Sequence, residues 1–312
     1  MDALAIILEA PGKLALGSLA LTDPTPTDIV VDMEWTGIST GTEKLLWSGR
    51  MPPFPGMGYP LVPGYESVGC VVEAGALSGR SVGERVFVPG ANCYRDARGL
   101  FGGAASRVVI PGAKAMPLGD GLDETGVLLA LAATAHHAVA PDTRKPPQLI
   151  VGHGVLGRLI ARIVVAHGGR PVVWETNPAR HDGAEGYDVL HPDDDPRRDY
   201  LRICDVSGDA GILDSLVARL GRGGEIVLAG FYDQRLSFAF PMAFMREAKI
   251  RVAAEWRRND LVAVDEMIAR GRLSLGGFIT HTKTPDCYDE AYTTAFTDPA
   301  CLKMVLEWRL AA

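Results

Sequence analysis

Apolar residues in the first 120 positions come in short, alternating runs. Leu4 to Leu8, Ile29 to Trp35, Ser67 to Glu73, Arg85 to Val88 and Ser106 to Ile110 each have the length of one strand, and Gly or Pro interrupts the intervals between them. An irregular domain of β-barrel type is expected there. After Asp123 the period lengthens: Thr125 to Val139 reads as a helix, and a stiff joint follows at Lys145-Pro146-Pro147. Beyond it, strands are expected at Leu149 to Val151, Pro171 to Trp174, Tyr187 to Leu190, Ile203 to Val206, Glu225 to Ala229 and Ile250 to Ala254. Helical stretches at Leu159 to Ala166, Asp209 to Leu220 and Asn259 to Ala269 separate most of them. Six short strands interleaved with helices predict a doubly wound parallel sheet. In the tail, Phe278 to Thr280 looks like a strand, and Asp286 to Phe296 and Leu302 to Trp308 look helical. The chain is thus read as α/β: a β-rich domain over 1–122, a nucleotide-binding domain over 123–275, and a segment over 276–312 that returns to the first.

The stretch from Gln148 to Glu175 sharpens this picture. Gly152, Gly154 and Gly157 follow a buried strand at the G-x-G-x-x-G spacing and precede a helix, as in dinucleotide-binding units. Gly152 would make the tight turn, Gly154 would let backbone approach a pyrophosphate, and Gly157 would let helix and strand pack closely. Val155 and Leu156 stand in the first helical turn, where unpaired N–H groups favour an anion. His153 reads either as a phosphate contact or as an exposed loop side chain. Glu175 closes the next strand, where a carboxylate accepts ribose hydroxyls and repels a 2′-phosphate, so NAD is expected over NADP. Ser207, Gly230 and Phe231 end the fourth and fifth strands at the edge where ligands of such sheets sit.

Composition narrows the partners. The 312 residues suit about two domains and carry 38 acidic against 31 basic side chains, for a net charge of −7. No Lys/Arg run exceeds a pair, so nucleic acid has little electrostatic support. The N-terminus lacks a basic leader and no apolar stretch matches a bilayer span, so a cytoplasmic protein is expected. The five cysteines are scattered without a C-x-x-C pair, which argues for reduced thiols.

Several phrases carry a family likeness: Thr36 to Glu43, Pro63 to Gly69, Val82 to Val86, and Ile279 to His281 followed by Glu290 to Tyr292. With the domain order they make the chain resemble the medium-chain dehydrogenase/reductase superfamily, which implies a GroES-like catalytic domain, a Rossmann domain and commonly a homodimer. Ile38 to Arg50, Met51 to Glu66 and Leu129 to His137 are similar to a branch of that superfamily working in bacteriochlorophyll biosynthesis. That resemblance implies NAD-dependent oxidation of an alcohol on a bacteriochlorophyllide or chlorophyllide ring, with transient visits to pigment membranes. Two alternatives stay open: a quinone or alkene reductase of the same superfamily, and a non-catalytic carrier of nucleotide and pigment.

Zinc members of the superfamily place a cysteine near the first phrase, a His-Glu in the second and a third ligand in the linking helix. Here Ser39, Tyr65 and the pair Leu131-Ala132 stand at those points, and Cys93 is alone where a structural zinc would need four cysteines. Hydroxyl and phenol groups are poor zinc ligands, so no metal is expected. A side chain must then take the alcohol proton. The candidates are Tyr65, Glu66, Ser39, Thr42 and one of His136 and His137, since neighbours on a helix face different ways. Glu66 reads equally as a buried structural carboxylate. Trp47, Arg50, Phe54, Met57 and Tyr59 form either one wall of an apolar slot for a flat ring or a proline-stiffened packing loop.

Overall fold

The computed structural model describes residues 1–53, 55–119, 121–140 and 145–309, and its contacts divide the chain into two compact units. Met1–Ala130 and the residues from Gly276 onward make one; Leu131–Leu275 make the other.

In the first unit, β1 (Asp2–Ala10) and β2 (Lys13–Ala20) form an antiparallel hairpin. The remaining strands join a seven-stranded sheet: β3 (Asp28–Ile38), then after helix α1 (Thr42–Trp47) come β4 (Ser67–Ala74), β5 (Arg85–Val88), β6 (Arg107–Pro111) and β7 (Met116–Pro117). β3 is buried along most of its length because it is paired on both edges. β4 lies on one edge and β6 covers the first half of the other. Helix α2 (Leu129–Val139) carries the chain into the second unit.

There β8 (Leu149–Val151), α3 (Val155–Ala166), β9 (Val172–Trp174), β10 (Asp188–Leu190), β11 (Tyr200–Asp205), α4 (Leu213–Arg219), β12 (Leu220–Leu228), α5 (Phe240–Arg246), β13 (Lys249–Val252) and α6 (Arg258–Ala269) follow in turn. The six strands are parallel in the order β10-β9-β8-β11-β12-β13. Strand order reverses between β8 and β11, and that switch point at the carboxyl edge is where such sheets bind ligands. Leu149, Ile150 and Val151 are buried because a central parallel strand is covered on both faces.

The chain then returns to the first unit as β14 (Ile279–Lys283), α7 (Tyr288–Thr297) and β15 (Lys303–Glu307). β15 corrects the helix expected at Leu302 to Trp308. It runs between β14 and the second half of β3, pairing Met304 with Ile38 and Glu307 with Trp35. Lys303, Met304, Val305 and Leu306 are all buried, so neither a period of two nor one of 3.6 marks the run, and its pairing decides its form. The half-exposed β2 and the short α1 and α5 also carry too little periodicity to be read in advance.

Candidate active site

The glycine turn of the second unit has the geometry a pyrophosphate needs. Gly152 sits at φ +103°, and a Cβ on Gly157 would lie 1.8 Å from the Gly152 carbonyl oxygen, so the helix can start only without a side chain there. A Cβ on Gly154 would meet nothing within 4 Å, which leaves open space before the first turn of α3. No side chain caps that end of the helix, and its first turn holds no acid, so the N–H groups of Val155 and Leu156 are left for an anion. These residues fit a dinucleotide.

Glu175 is fixed from below. One carboxylate oxygen accepts the His153 N–H at 3.1 Å and the other accepts the Asn177 N–H at 2.8 Å. Each oxygen keeps a lone pair for a ribose hydroxyl. His153 itself differs from both expectations. It is fully buried, with Nδ1 2.6 Å from the Arg180 carbonyl and Nε2 2.9 Å from the Tyr187 hydroxyl. Burial, with the nearby Arg158 charge, pushes its pKa down to about 4, so the ring is neutral and ties the loop together. Its main chain, not its imidazole, remains near the glycine turn.

At the ends of β11 and β12, Asp205 organises the turn. Its carboxylate accepts the Tyr232 hydroxyl at 2.7 Å and the Ser207 N–H at 3.0 Å, while burial raises its pKa. The Ser207 hydroxyl accepts the Asp209 N–H, and Phe231 stays 44% exposed beside Gly230. Asp205 closes the fourth strand and Tyr232 follows the fifth, so the sequence places both at the carboxyl edge, but not the hydrogen bond that joins them.

In the first unit Ser39 and Tyr65 meet, hydroxyl to hydroxyl, at 2.7 Å. Burial, then the charge of Glu66, pushes the Tyr65 phenol well above its ordinary range, and the Ser39 and Thr42 hydroxyls ease it back. The phenol is therefore held in its neutral form. Glu66 is not a free base. Fully buried, its Oε2 accepts from the Lys303 Nζ at 2.5 Å, and Lys303 also donates to the Ile38 carbonyl at 3.1 Å. Lys303 escaped the sequence reading because nothing local links it to Glu66.

The two histidines of α2 also correct an expectation. Both reach one carboxylate: Nδ1 of His136 is 2.8 Å and Nδ1 of His137 2.9 Å from Asp260, which also accepts the Arg257 N–H at the start of α6. His137 is thereby committed to holding α6. In the apolar loop, Tyr59 donates to the Leu46 carbonyl at 2.6 Å and, with Met57 and Trp47, packs on Leu8, Leu45, Leu46, Met51 and Leu61. Trp47 also stacks at a tilt on Phe296. These three side chains pack on a small core. Arg50 is exposed beside Ser48, and Phe54 lies outside the described residues. Among the described residues no three His, Cys, Asp or Glu side chains form a group able to hold a metal.

A strand-rich unit to which the chain returns, and a six-stranded parallel unit with a glycine turn at its switch point, make the fold of a medium-chain dehydrogenase. Residues 25–120 match the alcohol dehydrogenase GroES-like domain. The chain belongs to the medium-chain dehydrogenase/reductase superfamily: it is 55% identical over 311 residues to the 2-desacetyl-2-hydroxyethyl bacteriochlorophyllide A dehydrogenase of Rhodobacter capsulatus, covering 99% of each chain. Among solved structures, an Escherichia coli alcohol dehydrogenase complexed with NADH superimposes with a TM-score of 0.82 at 20% identity, over 98% of this chain and 99% of that one. A zinc-binding dehydrogenase of Sinorhizobium meliloti bound to NADP gives 0.80, also at 20% identity and the same coverage.

Proposed function

We propose that this chain oxidises the hydroxyethyl side chain of a bacteriochlorophyllide, or a closely related chlorophyllide, to an acetyl group, using NAD⁺ and no zinc. The observation that carries this reading is the 55% identity, end to end, with a relative of that description. The clamped Glu175 carboxylate supports NAD over NADP, because a 2′-phosphate would face a fixed negative charge. Hydroxyl, phenol and aliphatic groups at the superfamily's zinc positions support a metal-free reaction.

In this reading the turn from Gly152 to Gly157 and the start of α3 hold the pyrophosphate, while Glu175 orients the ribose. The bound nicotinamide supplies an acceptor for the hydride that leaves the carbinol carbon. The alcohol proton leaves by way of the Tyr65–Ser39 pair to a water molecule, each hydroxyl giving up its own proton as it takes one, so the phenol never has to carry a full charge. The enzyme works from the cytoplasm and meets its apolar substrate at pigment membranes; no helix among the described residues is long and apolar enough to cross one. It acts as a homodimer. β13 ends the six-stranded sheet, and Ile250, Val252, Phe240, Met242, Phe244 and Met245 are exposed on it and on α5, an apolar edge that a second copy would cover. Sedimentation of Val252→Lys protein as a dimer like the parent would remove that edge as the contact.

The test is turnover of purified, chelator-treated protein with 3-(1-hydroxyethyl)-bacteriochlorophyllide a and NAD⁺. NADH should appear in step with a red shift of the pigment band, since the acetyl group extends conjugation. Recovery only on adding zinc would overturn the metal-free reading. Pigment binding without turnover under either condition would turn the assignment to a carrier, and quinone reduction with NADPH to a reductase.

A further inference from the structure

Between β5 and β6 the first unit carries the run Gly99-Leu100-Phe101-Gly102-Gly103. It is zipped to the stretch that leads into Tyr65. The Val62 N–H donates to the Arg98 carbonyl at 2.8 Å, the Gly102 N–H to the Val62 carbonyl at 2.8 Å, the Gly103 N–H to the Gly64 carbonyl at 2.8 Å and the Ala104 N–H to the Pro63 carbonyl at 2.9 Å. Further bonds tie the run to the chain just after β5: the Ala91 N–H donates to the Phe101 carbonyl at 2.7 Å, and the Tyr94 hydroxyl to the Gly102 carbonyl at 2.6 Å. Main chain meets main chain so closely that a Cβ on Gly99 would stand 2.2 Å, and one on Gly102 1.8 Å, from the Ala91 carbonyl oxygen. A Cβ on Gly90 would stand 2.4 Å from the Phe101 carbonyl oxygen. Glycine at three positions thus fixes the backbone of one loop.

Leu100 spends this rigidity on packing, against the buried cluster of Leu8, Leu45, Leu46, Met51 and Leu61. Phe101 is left half-buried, its ring 4.9 Å from that of Tyr65 at an interplanar angle of 69°. An aromatic side chain on a fixed loop therefore stands beside the phenol whose hydroxyl meets Ser39 at 2.7 Å. Two rings set so steeply cannot both lie flat on one planar ligand. Tyr65 is committed through its hydroxyl to Ser39, so the stacking face falls to Phe101. We infer that Phe101 is the specificity-determining residue for the pigment: the platform on which the macrocycle stacks, so that a substituent on its rim reaches the Tyr65–Ser39 pair. The inference rests on the dehydrogenase reading proposed above. A platform that is rigid beforehand loses little freedom on binding, and a stacked contact favours an alcohol carried on a wide flat ring over a small one.

The experiment measures kcat and KM for 3-(1-hydroxyethyl)-bacteriochlorophyllide a, and NAD⁺ affinity by calorimetry, in the parent, Phe101→Leu and Phe101→Tyr. Phe101→Leu keeps apolar bulk and loses the ring face. Its pigment KM should rise about 10-fold, with a much smaller change in kcat and in NAD⁺ affinity. Phe101→Tyr restores the face and should recover most of the loss, a distinction that a merely structural role would not draw. A second measurement needs no variant to fold: in the parent, the ring protons of Phe101 should move upfield in NMR when pigment is added, under the ring current of the macrocycle. A parent-like pigment KM in Phe101→Leu, a loss confined to kcat, or ring protons that stay in place while pigment is turned over, each overturns the inference and leaves the substrate reading standing. A parent that neither binds nor oxidises the pigment overturns the substrate reading and the inference together.

Discussion

The glycine turn of the second unit and the buried cluster of the first are built by opposite means. The nucleotide turn offers main-chain N–H groups and empty space, and its side chains matter mostly by being absent at Gly154 and Gly157. The cluster of the first unit is made of side chains alone, with Glu43, Glu66 and Lys303 sealed from water near the Tyr65–Ser39 pair. Backbone recognition is robust to its neighbours and sensitive to bulk. A buried ionic cluster is robust to bulk at its margins and sensitive to any change of charge.

The largest effect should follow from removing the cation. Lys303→Met leaves Glu66 without its partner and should cost about 3–5 kcal/mol of stability in urea unfolding, with Lys303→Met/Glu66→Gln regaining most of it. A single-variant cost below about 1 kcal/mol would mean the cluster is not ionised as drawn. Tyr65→Phe should lower kcat by about 10²-fold or more while NAD⁺ affinity, followed by calorimetry, stays as it was. Gly157→Ala tests the glycine turn: overpacking against the Gly152 carbonyl should cost about 1–3 kcal/mol and weaken NAD⁺ binding while sparing the Tyr65 site.

The smallest effect concerns Asp260. Burial alone would raise its pKa, but the Arg257 N–H and the two histidines outweigh that and hold it below the ordinary carboxylate range. A depressed native pKa stabilises the fold above the unfolded-state pKa, and the gain fades as pH falls through the native one. Asp260→Asn should therefore cost about 1 kcal/mol at neutral pH and progressively less in acid, read from paired thermal melts.

What could be read from the chain tracks how locally each feature is encoded. The turn from Gly152 to Gly157 and the strand ending at Glu175 are contiguous and unusually spaced, so their place on the sheet was legible. The clamp on Glu175 and the burial of His153 were not, because the latter depends on Arg180 and Tyr187, which only the folded chain brings near. Tyr65, Ser39 and Thr42 could be named from the phrases around them, but not that the first two touch. Glu66 and Lys303 are 237 positions apart, and the strand bearing Lys303 looks helical until β3 and β14 are beside it. Hydrophobic periodicity reports a neighbour's side of an element; it does not say which distant edge will supply that neighbour.

The return of β15 to β3 also sets an order of events during synthesis. The ribosome delivers Glu43, Glu66 and the open edge of β3 first, then the whole nucleotide unit, and only after it the strand carrying Lys303. Until that strand arrives, a nascent chain has two acids to bury and no ammonium to bury with them. A chain ending between Leu275 and Lys303 would hold every strand of the nucleotide unit and still lack the ammonium that Glu66 is buried with, so the first unit is sealed only after the second has been made.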